Sequence, residues 1–395
     1  MAALPTSVKV FRSDMSGAPT LNGVAGAIVA LLTACLNTGY GLKTVDSIVV
    51  AGGVATANIS TGHGFFPMAV ALLAGVTPAG LNGEKKVLSI ATTSVVFDAT
   101  GIADGTYNPA GMTIKMAPAG WDVPFTATNK AAFRSRNVEG TREYLYVDDT
   151  GTTTCRTRLY ESMTDISTGV GPCPTDAQVS GGMYWPKSYT ADAVARQWFV
   201  IATDKVFYIG VMPQATSGGF TTLMFGDIKS RRDYDPYCCC ITGSNASTVS
   251  SLSTAMGGDV FYQDQGYSLT NVKYLSRGYQ LIGTSKSVLF IGAAHYATSA
   301  SAMYSGTSGY STYPDPTDNS LTYGKMMVAH DNSFRGELPG LYNITQTAYT
   351  SIASYDIFTP TSGALAGRTL MAVKNGVSAS SATMGVGLFD LTGDW

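Results

Sequence analysis

The chain is 395 residues long, enough for roughly two or three domains with real cores. Its 25 Lys and Arg against 27 Asp and Glu leave a net charge of −2, and charged residues are 13% of the chain, about half the usual ~25%. Hydrophobic residues at 45% exclude a disordered chain, and the missing basic field excludes nucleic acid as a partner, so the surface must be polar but largely uncharged.

Near the N-terminus, residues 8–11 (VKVF) predict a short strand, with Gly17 and Pro19 beyond it. Val24, Ala27, Ile28, Leu31, Leu32 and Cys35 then fall at helical spacing, which predicts an amphipathic helix capped by Thr20 or Asn22 and ended by Gly39 or Gly41. The apolar run 24–36 is 13 residues, short of the ~20 a bilayer needs, so no membrane insertion is expected. Leu32-Thr33-Ala34-Cys35 has the form of a bacterial lipoprotein cleavage box, but Asp14 in the would-be basic region and Gly23 and Gly26 interrupting the apolar run argue against a targeting signal.

Between residues 43 and 118 the pattern changes to closely spaced strands at 47–50, 55–59, 69–73, 86–90, 94–97 and 112–116, separated by glycine turns. That spacing predicts a small antiparallel barrel or sandwich. His63 lies in a Gly-His-Gly-Phe turn with no second histidine within a hundred residues, so it is read as a turn residue and not as a metal ligand.

From residue 119 onward a larger β region is expected. Tyr144 and Tyr146 alternate with Leu145 and Val147; after the turn residues Asp148 to Gly151, Thr153, Cys155, Thr157 and Leu159 alternate with Arg156, Arg158 and Tyr160, the pattern of a two-faced hairpin. Residues 169–182 carry loop chemistry and lead to Tyr184-Trp185-Pro186. The runs 198–202 and 206–211 flank Thr203-Asp204-Lys205 and predict a tight hairpin of core strands, with 279–283 and 287–291 as a second pair. Lys229, Arg231 and Arg232 are interleaved with Asp227, Asp233 and Asp235 and read as a solvated loop. Residues 243–256 and 296–313 are polar loops, and Tyr296, Tyr304, Tyr310 and Tyr313 are candidate interface residues there, against the plain reading of a solvated segment. The runs 368–373 and 386–391 predict two closing strands, and an apolar terminus at Trp395 closes a sheet or docks on a neighbour.

Six cysteines are too sparse for a disulfide scaffold and lack zinc spacing. In a strand Cys238 and Cys240 face one way and Cys239 the other, so adjacent ones do not pair. They are either small buried residues, or Cys173 and the triplet Cys238, Cys239 and Cys240 supply a bridge within the chain or to a neighbouring subunit. No catalytic motif is present: there is no phosphate-binding glycine loop, no H-E-x-x-H and no G-x-S-x-G. Asp148, Asp149, Glu161 and Asp165 are the acidic concentration nearest the aromatic-rich region, but the first two are turn residues by position, and His330-Asp331 stand too close in sequence to act as a triad with Ser333. No enzyme activity, cofactor or metal is expected.

Several separated stretches resemble a widespread family of tailed-bacteriophage virion and tail structural proteins. They are residues 10–23 (VFRSDMSGAPTLNG), 118–121 (PAGW), 146–151 (YVDDTG), 160–163 (YESM), 174–182 (PTDAQVSGG) with Tyr184-Trp185, 313–316 (YPDP), 335–342 (RGELPGLY), 366–373 (AGRTLMAV) and 389–393 (FDLTG). Residues 62–65, 77–83 and 97–102 are similar to a small β module found in many phage tail proteins, with departures at Phe66-Pro67-Met68-Ala69 and at the terminal Gly393-Asp394-Trp395. The family brings no catalytic residues. The expectation is a mainly β chain with an N-terminal arm and amphipathic helix over 1–42, a small antiparallel β barrel or sandwich over 43–118, and a larger β-sandwich-like domain over 119–395. The resemblance implies a structural component of the neck, collar or tail of a virion assembled in the host cytoplasm, a homo-oligomer of trimer- or hexamer-related symmetry that contacts other neck or tail proteins. The alternative is a receptor- or glycan-binding module of the tail or fibre apparatus.

Overall fold

The computed structural model describes residues 4–215, 219–247, 258–262, 272–278, 280–292, 312–331, 333–376, 384–393 and 395. The chain is mainly β, and its described residues build four antiparallel sheets. At the centre is a hub sheet in the spatial order Lys9–Arg12, Gln197–Ala202, Val206–Met212, Thr221–Asp227, Cys239–Thr242, Lys273–Leu275 and Lys286–Ser287.

The hub strands are apolar on both faces because both faces are covered. Trp198, Val200, Phe207 and Ile209 enter one core; Phe199, Ile201, Val206 and Tyr208 enter a second. The first core is shared with a tyrosine sheet of order Trp121–Ala127, Lys130–Ser135, Tyr144–Asp148, Thr154–Met163 and Gly169–Cys173, in which Met183–Pro186 also pairs with Thr154–Met163. The second is shared with a C-terminal sheet of order Leu289–Ile291, Tyr323–His330, Ser333–Ile344, Met384–Asp390, Leu370–Gly376 and Ile357–Phe358. The hub is thus the middle layer of three, which is why its strands read as continuous apolar runs and not as alternating ones.

The expected strands between 43 and 118 form as an eight-stranded sheet that bends at the long strand Gly83–Ala91. Its interior residues, among them Ile48, Ala57, Leu73 and Phe97, belong to the same core as the tyrosine sheet and one face of the hub. Lys86 ties this sheet to both chain ends: its buried ammonium donates to the carbonyls of Val8 at 3.0 Å and Leu391 at 3.1 Å. Burial, with Lys9 close by, pushes its pKa down to about 8. Among the described residues no helix is long and apolar enough to cross a membrane.

The N-terminal helix differs from expectation. Only Ala27–Leu32 is α-helical, followed by a π-helical turn at Thr33–Thr38 that ends on Gly39. Gly26, at φ 87°, occupies the N-cap position, so neither Thr20 nor Asn22 caps it. The cap comes from far along the chain: Asp149 Oδ2 accepts the amides of Ile28 at 2.7 Å and Val29 at 3.4 Å. Asp149 is therefore no ordinary turn residue. It is fully buried and ion-paired with the equally buried Lys187, which also donates to Val24 O at 2.8 Å.

Two further expectations change. Residues 280–283 form no strand: Leu281 takes φ 63° and its amide closes a turn on Gly278 O, while Lys286–Ser287 pairs with Lys273–Leu275 instead. Trp395 docks on its own chain, its ring centroid 6.0 Å from that of Tyr208 and its Nε1 donating to Asp390 O at 2.9 Å. Gly340, at φ 62°, makes room for that indole, since a Cβ there would stand 2.0 Å from Cε2 of Trp395.

Candidate functional site

The alternation that drives the tyrosine sheet sorts its side chains cleanly. Phe133, Leu145, Leu159 and Cys173 line up across the strands and face the core. The opposite face carries three rows: Arg134, Tyr144, Tyr160 and Pro172; Phe125, Ala132, Tyr146 and Arg158; and Lys130, Asp148, Arg156 and Tyr184. This second face forms a cluster separate from the main cores. Phe125 stacks on Tyr144 at 6.1 Å and Tyr146 meets Tyr160 edge-on at 6.3 Å.

Ion pairs border the rings: Lys130 with Asp148 at 2.7 Å, Arg136 with Asp122 at 2.6 Å and Arg158 with Asp176 at 2.6 Å. Among the described residues Arg134 and Arg156 form no ion pair with a carboxylate. Arg134 donates to Arg142 O at 3.0 Å and lies 5.0 Å from the Tyr144 ring; Arg156 donates to Ser180 O and lies 3.9 Å from the Tyr184 ring. The result is a preordered aromatic and arginine surface with a positive excess.

Next to this face lies a cleft of about 810 Å³, open to solvent. The 137–141 loop, which joins two strands of the tyrosine sheet, forms one wall, and the 203–205 and 229–236 turns form others. Its carboxylates hold these walls in place: Glu139 pairs with Lys205 at 3.1 Å, Asn137 donates to Asp204 at 3.0 Å, and Asp227 accepts the Thr141 amide at 2.8 Å. Burial holds the Asp227 carboxyl above the ordinary range, opposed by the two hydrogen bonds from Thr141. Asp235 turns inward to a buried ion pair with Arg335 at 2.7 Å. Asp233 and Tyr234 stand on the lip, and Tyr234 is 100% exposed on a backbone at φ 54°. No histidine lines the cleft. Lys229 and Arg232 line the cleft beside Asp233, so its lip is of mixed charge, and most of its carboxylates fix loops.

The structure disperses the residues singled out from the sequence. Cys173, Cys238, Cys239 and Cys240, like Cys35 and Cys155, are free and buried. The expected alternation holds, with Cys239 in the first core and Cys238 and Cys240 in the second; within the chain no two cysteines are bonded, and all are buried. Burial also raises the thiol pKa of all four, so none is primed to react. Tyr296, Tyr304 and Tyr310 lie outside the described residues; Tyr313 is half-buried and packs on the third core at the outer side of the C-terminal sheet. His63 accepts the Phe65 amide at 3.2 Å within its own turn. His330 meets Asp331 at 2.9 Å and, through Nδ1, Ser287 O at 3.2 Å. Among the described residues no group of three or more His, Cys, Asp or Glu is placed to hold a metal.

Sequence reasoning missed the face and the cleft for different reasons. The face was present in the alternation of Tyr144, Tyr146, Arg156, Arg158 and Tyr160, and needed only the observation that their side stays uncovered. The cleft joins segments about 90 residues apart, Thr141 to Asp227, and no local pattern marks it.

No family model and no curated protein matches the chain. Among solved structures it aligns with one described as phage phi92 endosialidase, at 9% identity and a TM-score of 0.16, over 88% of this chain and 51% of that one. The chain spans about half the length of that structure, and a likeness of this size carries no argument about fold or function.

Proposed function

We propose that the chain is a structural, non-catalytic component of a tailed-bacteriophage particle, at the neck, collar or tail, assembling through symmetric contacts with its own copies and with other virion proteins. The observation that carries this reading is what the family-like stretches do in the fold. Arg12 pairs with Asp14 and covers Phe66 and Tyr355 at 4.8 and 4.1 Å. Trp121 donates to Thr203 O at 2.9 Å, and Trp185 to Thr242 O at 2.6 Å. Asp149 caps the helix, Glu161 takes Arg277 in a two-pronged pair at 2.7 Å, and Asp176 holds Arg158 and the Gly181 amide. Arg335 pairs with Asp235, Gly340 seats Trp395, and Arg368 pairs with Asp390. In the module-like region, Asn82 makes two hydrogen bonds to the backbone of Val76.

Most of the distinctive stretches thus supply a strut of the framework, and none of these residues is a nucleophile with a base beside it. That pattern suits a scaffold whose product is its shape. A protein inventory of purified particles, with a glycan array run on the isolated chain, tests the reading. Presence in particles without glycan binding is expected; glycan binding by a chain absent from particles would replace this reading with a recognition module.

A further inference from the structure

On the outer face of the tyrosine sheet two guanidinium groups are left unpaired because the carboxylates around them are already engaged. Asp122, across from Arg134 in the register, pairs with Arg136; Asp148, across from Arg156, pairs with Lys130 and accepts the Thr150 amide and hydroxyl. Asp176 is held by Arg158 and the Gly181 amide. Both arginines are fixed from behind. Arg134 lies over the Tyr144 ring and donates through Nε to Arg142 O at 3.0 Å; Arg156 lies over the Tyr184 ring and donates through Nη2 to Ser180 O. Among the described residues the two Nη atoms of Arg134, and Nε and Nη1 of Arg156, meet no acceptor, and both side chains are partly exposed. A guanidinium held in this way is a receptor for a carboxylate, and fixing it beforehand lowers the ordering cost of binding.

The register sets the distance between the two receptors. Arg134 stands opposite Tyr144 and Arg156 opposite Asp148, so they lie two strands apart and four residues apart along the sheet. With strands ~4.8 Å apart and a rise of ~3.4 Å per residue, their Cα atoms are about 17 Å from each other. Midway on that diagonal is the partly exposed Tyr146, whose ring meets Tyr160 edge-on. An extended polypeptide turns alternate side chains to one side, so its residues i, i+2 and i+4 span about 14 Å, and two long acidic side chains close the remainder. Acidic, apolar and acidic residues in that order match Arg134, Tyr146 and Arg156. Such a segment cannot join as a further strand, because each edge strand of the sheet carries a proline: Pro124, Pro172 and Pro186. It must lie across the face and be read through its side chains.

We propose that the outer face of the tyrosine sheet receives an extended acidic segment of another virion protein, with carboxylates at i and i+4 paired to Arg134 and Arg156 and an apolar side chain at i+2 on Tyr146. This rests on the assembly role proposed above and names the chemistry of one partner. A polypeptide fits better than an acidic glycan because a sugar stacks on an open ring face, and the rings beneath the two arginines are covered: Tyr144 by Phe125 and Arg134, Tyr184 by Arg156. Because the decisive contacts are between charges near solvent, added salt weakens the binding.

The probe is a labelled synthetic peptide with two glutamates four residues apart and a leucine midway, titrated with the full chain at low salt by fluorescence anisotropy. A twin peptide with glutamines in place of the glutamates is expected to bind at least about tenfold more weakly. Arg134→Gln with Arg156→Gln is expected to cost at least about tenfold for the acidic peptide. Lys85→Gln with Lys325→Gln removes as much charge from the other sheets and should change the affinity less than about twofold. Unchanged melting curves will show that the variants fold. Equal losses from the two double variants, or equal binding of the two peptides, would mean attraction to net charge alone and overturn the proposal. Tighter binding of a hyaluronan oligosaccharide with the same arginine dependence would make the face a glycan site, and arginine-dependent self-association in light scattering would give it to a second copy; either overturns the proposal. No peptide binding by a chain that is present in particles would sink this contact and leave the structural role standing. Arginine-dependent peptide binding by a chain absent from particles would support the site and contradict the structural role.

Discussion

Replacing Asp149 by alanine is the sharpest perturbation of the framework. It removes a carboxylate that is fully buried, leaves the fully buried Lys187 without its counter-charge, and takes the acceptor from the Ile28 amide 2.7 Å away. Stranding one member of a buried ion pair costs about 3–5 kcal/mol, and losing an N-cap acceptor costs about 0.5–2 kcal/mol. The two overlap, so a loss on the order of 4 kcal/mol is expected. Asp149→Asn keeps a cap acceptor and should cost less. Asp149→Ala with Lys187→Met removes the stranded charge as well and should recover most of the loss, leaving mainly the cap term of about 1 kcal/mol. Urea unfolding, read from midpoint and slope, measures all three and Lys187→Met alone. A cost below about 1 kcal/mol for Asp149→Ala, or a double variant as unstable as the sum of the singles, would refute the buried-pair reasoning.

Three other outcomes follow from the same structure. Lys86 has a folded-state pKa of about 8, below its unfolded value, so the unfolded chain binds more protons between those values and stability should rise with pH from about 8 to about 10.5; Lys86→Met should abolish that rise in pH-dependent unfolding. Glu143 is buried with no well-formed hydrogen bond to either carboxylate oxygen, and burial, opposed by Ser276 and Cys239 nearby, holds its pKa well above the carboxylate range. The folded chain therefore keeps its proton where the unfolded chain loses it, stability falls as pH climbs above the unfolded value, and Glu143→Met should stabilise the chain at neutral pH by on the order of 1–3 kcal/mol; a loss of stability would contradict this. Finally, the six cysteines are buried with their thiols protonated, so a thiol reagent should label none in the native protein and all six after unfolding, and rapid native labelling of any one would place it at the surface.

What could be read from the sequence follows the range of each interaction. The strands of the small sheet were legible because they are short and cut by glycine turns, but their order was not, since several pair with strands far along the chain, as Lys43–Thr44 does with Thr113–Met116. The 203–205 hairpin was legible because one tight turn joins its paired strands, and its flanking runs were apolar throughout because the hub is covered on both faces. The helix was visible in its spacing, but not its length or its cap: a left-handed Gly26 delays its start, and the cap arrives from a residue 121 positions away. The charges of Asp149, Lys187, Asp235 and Arg335 look like surface chemistry until the fold brings them together and buries them. Of the candidate site, the aromatic face was half legible, since alternation revealed the two sides but not which one stays open. The cleft was invisible because it belongs to three separate turns.

The measurement that tests the central claim most directly is the number of copies of this chain in purified particles, by quantitative gel against a known virion component. A structural role predicts a fixed copy number set by a three-fold or six-fold axis, carried by chains of 41.3 kDa that run as single monomers on the gel with or without reductant, because no exposed cysteine is available to link them. Particles that lack the chain would contradict it.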